Sequence, residues 1–166
     1  PGVCQTASVR SPYIYEEDNW TDDMELAAIE LFRATGDPRY QAEALAYARR
    51  EPVTPWMGAD SAYHYQWYPF LNMGHYYLAR EGNARVSQEF VRNLRSGIRR
   101  TYEKAQGNPF LYGIPAIWCS NNLTTAMLTQ CILYRQLTGD TTYQEMEGSL
   151  RDWLFGCNPW GVSMVV

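Results

Sequence analysis

The chain has 166 residues, of which 46% are hydrophobic, enough for the core of one domain and too few for two comfortable ones. A formal net charge of -4 and a pI of about 5.2 leave no basic surface for a nucleic-acid backbone, which excludes nucleic acid as the expected partner. No apolar run reaches the roughly 18 residues of a membrane span, so no membrane partner is expected.

From the N-terminus, Pro1-Gly2-Val3-Cys4 carries neither an initiator Met nor a signal-peptide pattern, so the chain is not expected to begin where its gene does. A first helical hairpin is predicted over about 22–50. Asp22 and Glu25 read as a capping-box variant that starts its inner helix near Met24. Met24, Ala27, Ala28, Leu31 and Phe32 form the buried face, and the outer helix runs from Arg39 to Arg50. Next comes a Pro/Gly/Trp-rich connection, Glu51 to Gly58, with no convincing strand. A second hairpin, about 67–105, places Phe70, Met73, Gly74, Tyr77 and Leu78 inward and Ala84 to Lys104 outward. After a second such connection, Gly107 to Trp118, a third hairpin covers about 119–155. Leu123, Ala126, Met127, Cys131 and Tyr134 face inward there, and Thr142 to Leu154 forms the outer helix.

The hairpins repeat. Leu31-Phe32-Arg33, Thr35-Gly36-Asp37 and Tyr40-Gln41 return as Leu133-Tyr134-Arg135, Thr138-Gly139-Asp140 and Tyr143-Gln144, with a weaker copy at Leu78-Ala79-Arg80-Glu81-Gly82-Asn83. In each, Gly36, Gly82 or Gly139 can end a helix in the left-handed conformation, and Asp37, Asn83 or Asp140 can cap the next one, with Pro38 suited to a first helical position. Sequential αα-hairpins with apolar inner helices fit an α/α toroid or a solenoid, and loops of unlike length and aromatic content favour the toroid.

Four motifs carry a family resemblance. Tyr13-Ile14-Tyr15-Glu16-Glu17-Asp18-Asn19-Trp20-Thr21-Asp22-Asp23-Met24-Glu25-Leu26-Ala27-Ala28 resembles the segment of family 9 glycoside hydrolases in which an acidic pair opens an inner helix. Trp67-Tyr68-Pro69-Phe70-Leu71-Asn72-Met73-Gly74 and Trp118-Cys119-Ser120-Asn121-Asn122 are similar to the family's Trp-containing approaches to the next two inner helices. Trp153-Leu154-Phe155-Gly156-Cys157-Asn158-Pro159-Trp160-Gly161-Val162-Ser163 is similar to its Leu-Gly-x-Asn-Pro-x-Gly-x-Ser signature. The resemblance covers nearly the whole chain. It implies an all-α fold, helical hairpins forming about half of an (α/α)6 toroid, within an inverting enzyme that cleaves β-1,4-glucans without an organic cofactor, secreted or periplasmic as many relatives are. It also implies a catalytic Asp in an Asp-Ala-Gly-Asp motif, a His-Arg segment and a general-acid Glu after the signature. None occurs here, so the chain is expected to be an internal piece of the catalytic domain, inactive alone, and completed by the remainder of the toroid or a second copy.

Inversion needs two carboxyl groups about 6.5 to 9.5 Å apart. Asp22 and Asp23 are the weak local alternative. As helix neighbours they point about 100° apart, and they sit where first-turn acids favour the helix dipole, so capping is the preferred reading. Sugar binding is better supported, because pyranose C–H faces stack on aromatic rings and the chain holds 13 Tyr and 6 Trp. Trp67 and Trp118 are candidate platforms by resemblance, Tyr15 and Trp20 weaker ones, and Asn72 and Asn122 either bond sugar hydroxyls or satisfy helix-start amides. The four cysteines lack metal-ligand spacing and are expected as buried free thiols. His75 is expected as a satisfied or exposed histidine, and no metal site is predicted. The competing functions are a non-catalytic carbohydrate-binding module, a helical-repeat scaffold for proteins, and a sugar epimerase on a similar toroid, which would need more than the two histidines present.

Overall fold

A computed structural model describes residues 20–51, 54–56, 59–62, 73–116 and 120–165, with only the backbone described at 54–56 and 59–62. Among them lie six helices: α1 (Thr21–Thr35), α2 (Pro38–Ala48), α3 (Met73–Glu81), α4 (Ala84–Ala105), α5 (Ser120–Thr138) and α6 (Gln144–Leu154). They pair in order as three αα-hairpins, half of the six in an (α/α)6 toroid. Between α2 and α3, strands β1 (Thr54–Trp56) and β2 (Ala59–Ala62) form an antiparallel hairpin with Thr54 opposite Ala62 and Trp56 opposite Ala59. This corrects the expectation of no strand. Runs of three and four residues, one containing Pro55, are too short to show an alternating pattern.

The repeated Thr-Gly-Asp turn has one bonding scheme in its two full copies. Thr35 and Thr138 donate their hydroxyls to Leu31 and Tyr134 carbonyls and accept the amides of Asp37 and Asp140. Gly36 and Gly139 take φ 71°, where a side chain would strain the backbone. Asp37 caps α2 by accepting the Arg39 amide. Asp140 accepts the amide and hydroxyl of Thr142 and so holds the turn, while α6 starts two residues later at Gln144. The weak copy departs. Asn83 caps α4 as expected, through the amides of Arg85 and Val86. Gly82, however, is not left-handed; it is needed because an added Cβ would lie 2.5 Å from the Leu78 carbonyl oxygen and 2.6 Å from Val86.

Among the described residues, two apolar clusters form the core. Ala28, Ile29, Ala44, Leu78 and Phe90 gather the first hairpin and α3; Leu94, Ile98, Met127, Met146 and Leu150 gather the third. Helix α4 joins them, burying Val86, Phe90, Leu94 and Ile98 along one stripe of its 22 residues. The predicted inner face of α5 is buried throughout. That of α1 is displaced: Glu25, Ala28 and Ile29 are buried, whereas Ala27 is exposed and Leu31 is 45% exposed. The capping-box reading fails for the same reason. Helix α1 starts at Thr21 behind Trp20, with no side-chain cap, because Glu25 is committed to the interior. Bidentate ion pairs close the outer layer, Arg49 with Glu89 between α2 and α4, and Arg135 with Glu147 between α5 and α6.

Candidate functional site

Helices α1 and α3 run side by side in one direction. Glu25 near the start of α1 meets His75 near the start of α3, and Arg33 near the end of α1 lies over the Tyr77 ring, 4.1 Å from its centroid, with its Nε 3.9 Å from Glu81 at the end of α3. One end of the bundle therefore collects the starts of both helices together with Glu51, just past α2.

The predicted residues at this end separate into described and undescribed ones. Asp22 and Asp23 occupy the first turn of α1, as expected of acids favoured by the helix dipole. Asp22 is half-buried and its carboxyl is raised above the ordinary range, first by burial and then by the Asp23 charge; Asp23 is exposed. Trp20 is half-buried, packed edge-on against Tyr47 at 6.1 Å, with the Arg50 guanidinium 5.2 Å from its ring centroid. Arg50 thus lies over one face of the Trp20 ring. Asn122 is half-buried in the first turn of α5. Tyr15, Trp67, Asn72 and Trp118 lie outside the described residues.

Among the described residues, aromatic packing is most continuous around α6. Tyr112 stacks on Trp153 at 3.7 Å and 11° and shares a hydrogen bond with Thr124 at 2.9 Å; burial raises its phenol above the usual range. Trp160 meets Trp153 edge-on at 5.9 Å and is 67% exposed. Its turn is held by buried Asn158, which donates to the Trp153 and Val162 carbonyls and accepts the Trp160 amide. Asn158-Pro159-Trp160-Gly161 is therefore a turn that follows α6, which ends at Leu154, and it is tied back to the last helical turn through the Trp153 carbonyl. Cys131 is a buried free thiol whose pKa is pushed up to about 12 by desolvation, which makes it inert. Cys157 is free but exposed, against expectation, because it follows the last turn of α6.

Sequence reasoning missed the group at the centre of this end. His75 is fully buried, with Nδ1 2.8 and 3.0 Å from the Glu25 oxygens and Nε2 3.5 Å from Glu51 Oε2; both glutamates are buried too. The histidine is buried and not exposed, bonded through Nδ1 to a carboxylate 50 residues back, with Glu51, on the far side of α2, facing its Nε2. The only signal available was Glu25 lying in register with Ala28 and Ile29 on a helix stripe that is otherwise apolar.

No curated protein and no solved structure matches the chain. The model of the family described as Glycosyl hydrolase family 9 matches residues 2–166. With three αα-hairpins in the order that resemblance implied, the chain belongs to glycosyl hydrolase family 9.

Proposed function

We propose that the chain builds part of the substrate cleft of an inverting, exported β-1,4-glucan hydrolase, with Trp67 and Trp118 as sugar-stacking platforms and Asn72 and Asn122 as hydroxyl partners. The observation that carries this reading is the family match over residues 2–166. Asp22 and Asp23 are left as first-turn helix residues, and the catalytic base and acid are assigned to groups other than these two. No Asp-Ala-Gly-Asp motif is present to supply the base.

The test separates binding from turnover. The purified chain is titrated with cellohexaose by intrinsic fluorescence and assayed for reducing-sugar release from carboxymethyl-cellulose. Binding without release is expected, weakened about tenfold by Trp67→Ala or Trp118→Ala, the loss of one stacking contact of roughly 1.4 kcal/mol. Absence of binding in the unaltered chain would overturn the cleft assignment. Release of sugar by the chain alone would overturn the assignment of the catalytic pair elsewhere and return Asp22 and Asp23 to consideration.

A further inference from the structure

Glu25 from α1, Glu51 beyond α2 and His75 from α3 converge with side chains excluded from solvent, and a ligand-type atom of each lies within 4.8 Å of the others. The site is shaped for them. Gly74 leaves room for the Glu25 carboxylate, since an added Cβ would stand 2.6 to 2.7 Å from its atoms, and Phe90 closes over the imidazole edge-on at 4.6 Å.

The two ring nitrogens are treated differently. Both Glu25 oxygens face Nδ1, at 2.8 and 3.0 Å, a bond that holds a proton on Nδ1; a ring carrying that proton alone presents its Nε2 lone pair to Glu51. The Nε2 to Glu51 Oε2 separation is 3.5 Å. That is longer than a good N–H···O bond of about 2.7 to 3.2 Å. It matches two donors each about 2.1 Å from a common tetrahedral ion, which stand roughly 3.4 Å apart. A carboxylate bonded to the far nitrogen is the usual support of a metal-bound imidazole, fixing its tautomer and orientation.

We propose that this cluster is a structural metal site, with His75 Nε2 and Glu51 as direct ligands and Glu25 as the carboxylate that orients the ring. Water or further donors complete the coordination. One imidazole with a carboxylate suits a divalent ion of the zinc class in preference to calcium or magnesium, which take oxygen sets. The ion ties α1, the end of the first hairpin and the start of α3 at one point. It fastens together the two ends of the chain excursion between residues 51 and 75. Nothing in this assignment depends on the glycan reading, and its test does not use activity.

The chain, purified without a histidine tag, is analysed for metals by mass spectrometry and melted with and without a strong zinc chelator. About one zinc per chain is expected, with Tm lowered by roughly 5 °C or more on chelation. Glu51→Gln keeps the side-chain volume; it is expected to retain the helical circular dichroism and lose at least about 90% of the metal. Metal below about a tenth of an equivalent after incubation with zinc, together with a Tm that zinc does not move, would overturn the proposal. So would undiminished metal in folded Glu51→Gln, which would place the ion elsewhere. Should that variant fail to fold, the chelator and zinc-addition melts of the unaltered chain decide the matter.

Discussion

Asp140 shows how much a single side chain can do in this fold. It accepts from the Thr142 hydroxyl and amide and from the Tyr134 hydroxyl, and these bonds hold its carboxyl down at about 2. Tyr134 moves the other way, up to about 12, first through desolvation and then through that same Asp140 bond. A carboxyl depressed in the folded state stabilises above its unfolded pKa of about 3.9 and loses that contribution as pH falls toward 2. Because Asp140 lies near solvent, the contribution is on the order of 1 kcal/mol after screening. Asp140→Asn should therefore lower the urea midpoint at pH 7, and the difference from the unaltered chain should shrink between about pH 4 and pH 2. A gap that stays constant over this range would show that the hydrogen bonds matter without their charge. The expectation of Asp140 as a helix cap came close: the residue does bond an amide two positions on, but the helix begins further along because Tyr143 packs inward.

At the scale of elements, α4 is the member on which both cores depend. It starts at a true cap, Asn83, whose side chain accepts two of the amides that the first turn leaves without helical partners. Asn83→Ala should cost about 1 kcal/mol, read as a lower urea midpoint with unchanged slope, and Asn83→Asp should restore most of it. This cap was legible in the sequence because capping needs only neighbours in the chain. Helix α1 was legible as a helix but not in its facing. Met24, Ala27 and Leu31 are apolar, yet the buried stripe runs through Glu25, Ala28 and Ile29. A carboxylate overrides the apolar pattern there because His75 supplies it with a buried hydrogen-bond partner. The β1–β2 hairpin was illegible for a different reason: short backbone pairing leaves no periodic trace in so few residues.

Across the whole molecule, the second half ends in an apolar surface. Phe155, Trp160, Val162 and Val165 are all more than half exposed along the segment that follows α6. Several large apolar side chains exposed within one stretch exceed the scattered exposures normal for a monomer. The chain should accordingly self-associate with rising concentration in light scattering, and Phe155→Ser with Trp160→Ser should shift it toward monomer while leaving the melting curve nearly unmoved. A monodisperse unaltered chain at high concentration would contradict this. The two cores make the same molecule robust inside, since α4 carries Phe90 into one cluster and Leu94 into the other, four residues apart on one stripe.

The sequence alone determined what depends on near neighbours and on pattern: the three hairpins, the Thr-Gly-Asp turns, the caps at Asp37 and Asn83, and the motifs by which the chain resembles its family. Each is written within a few residues, at the range over which helix periodicity and backbone capping act. Only the tertiary structure decided which side of α1 is buried, that Arg50 lies over one face of Trp20, and that Glu25, Glu51 and His75 share one buried site. Those three side chains come from separate elements, and no spacing rule reaches across a hairpin. Their meeting is set by how α1 and α3 pack, with Gly74 allowing the close approach, and packing is a property of the assembled chain.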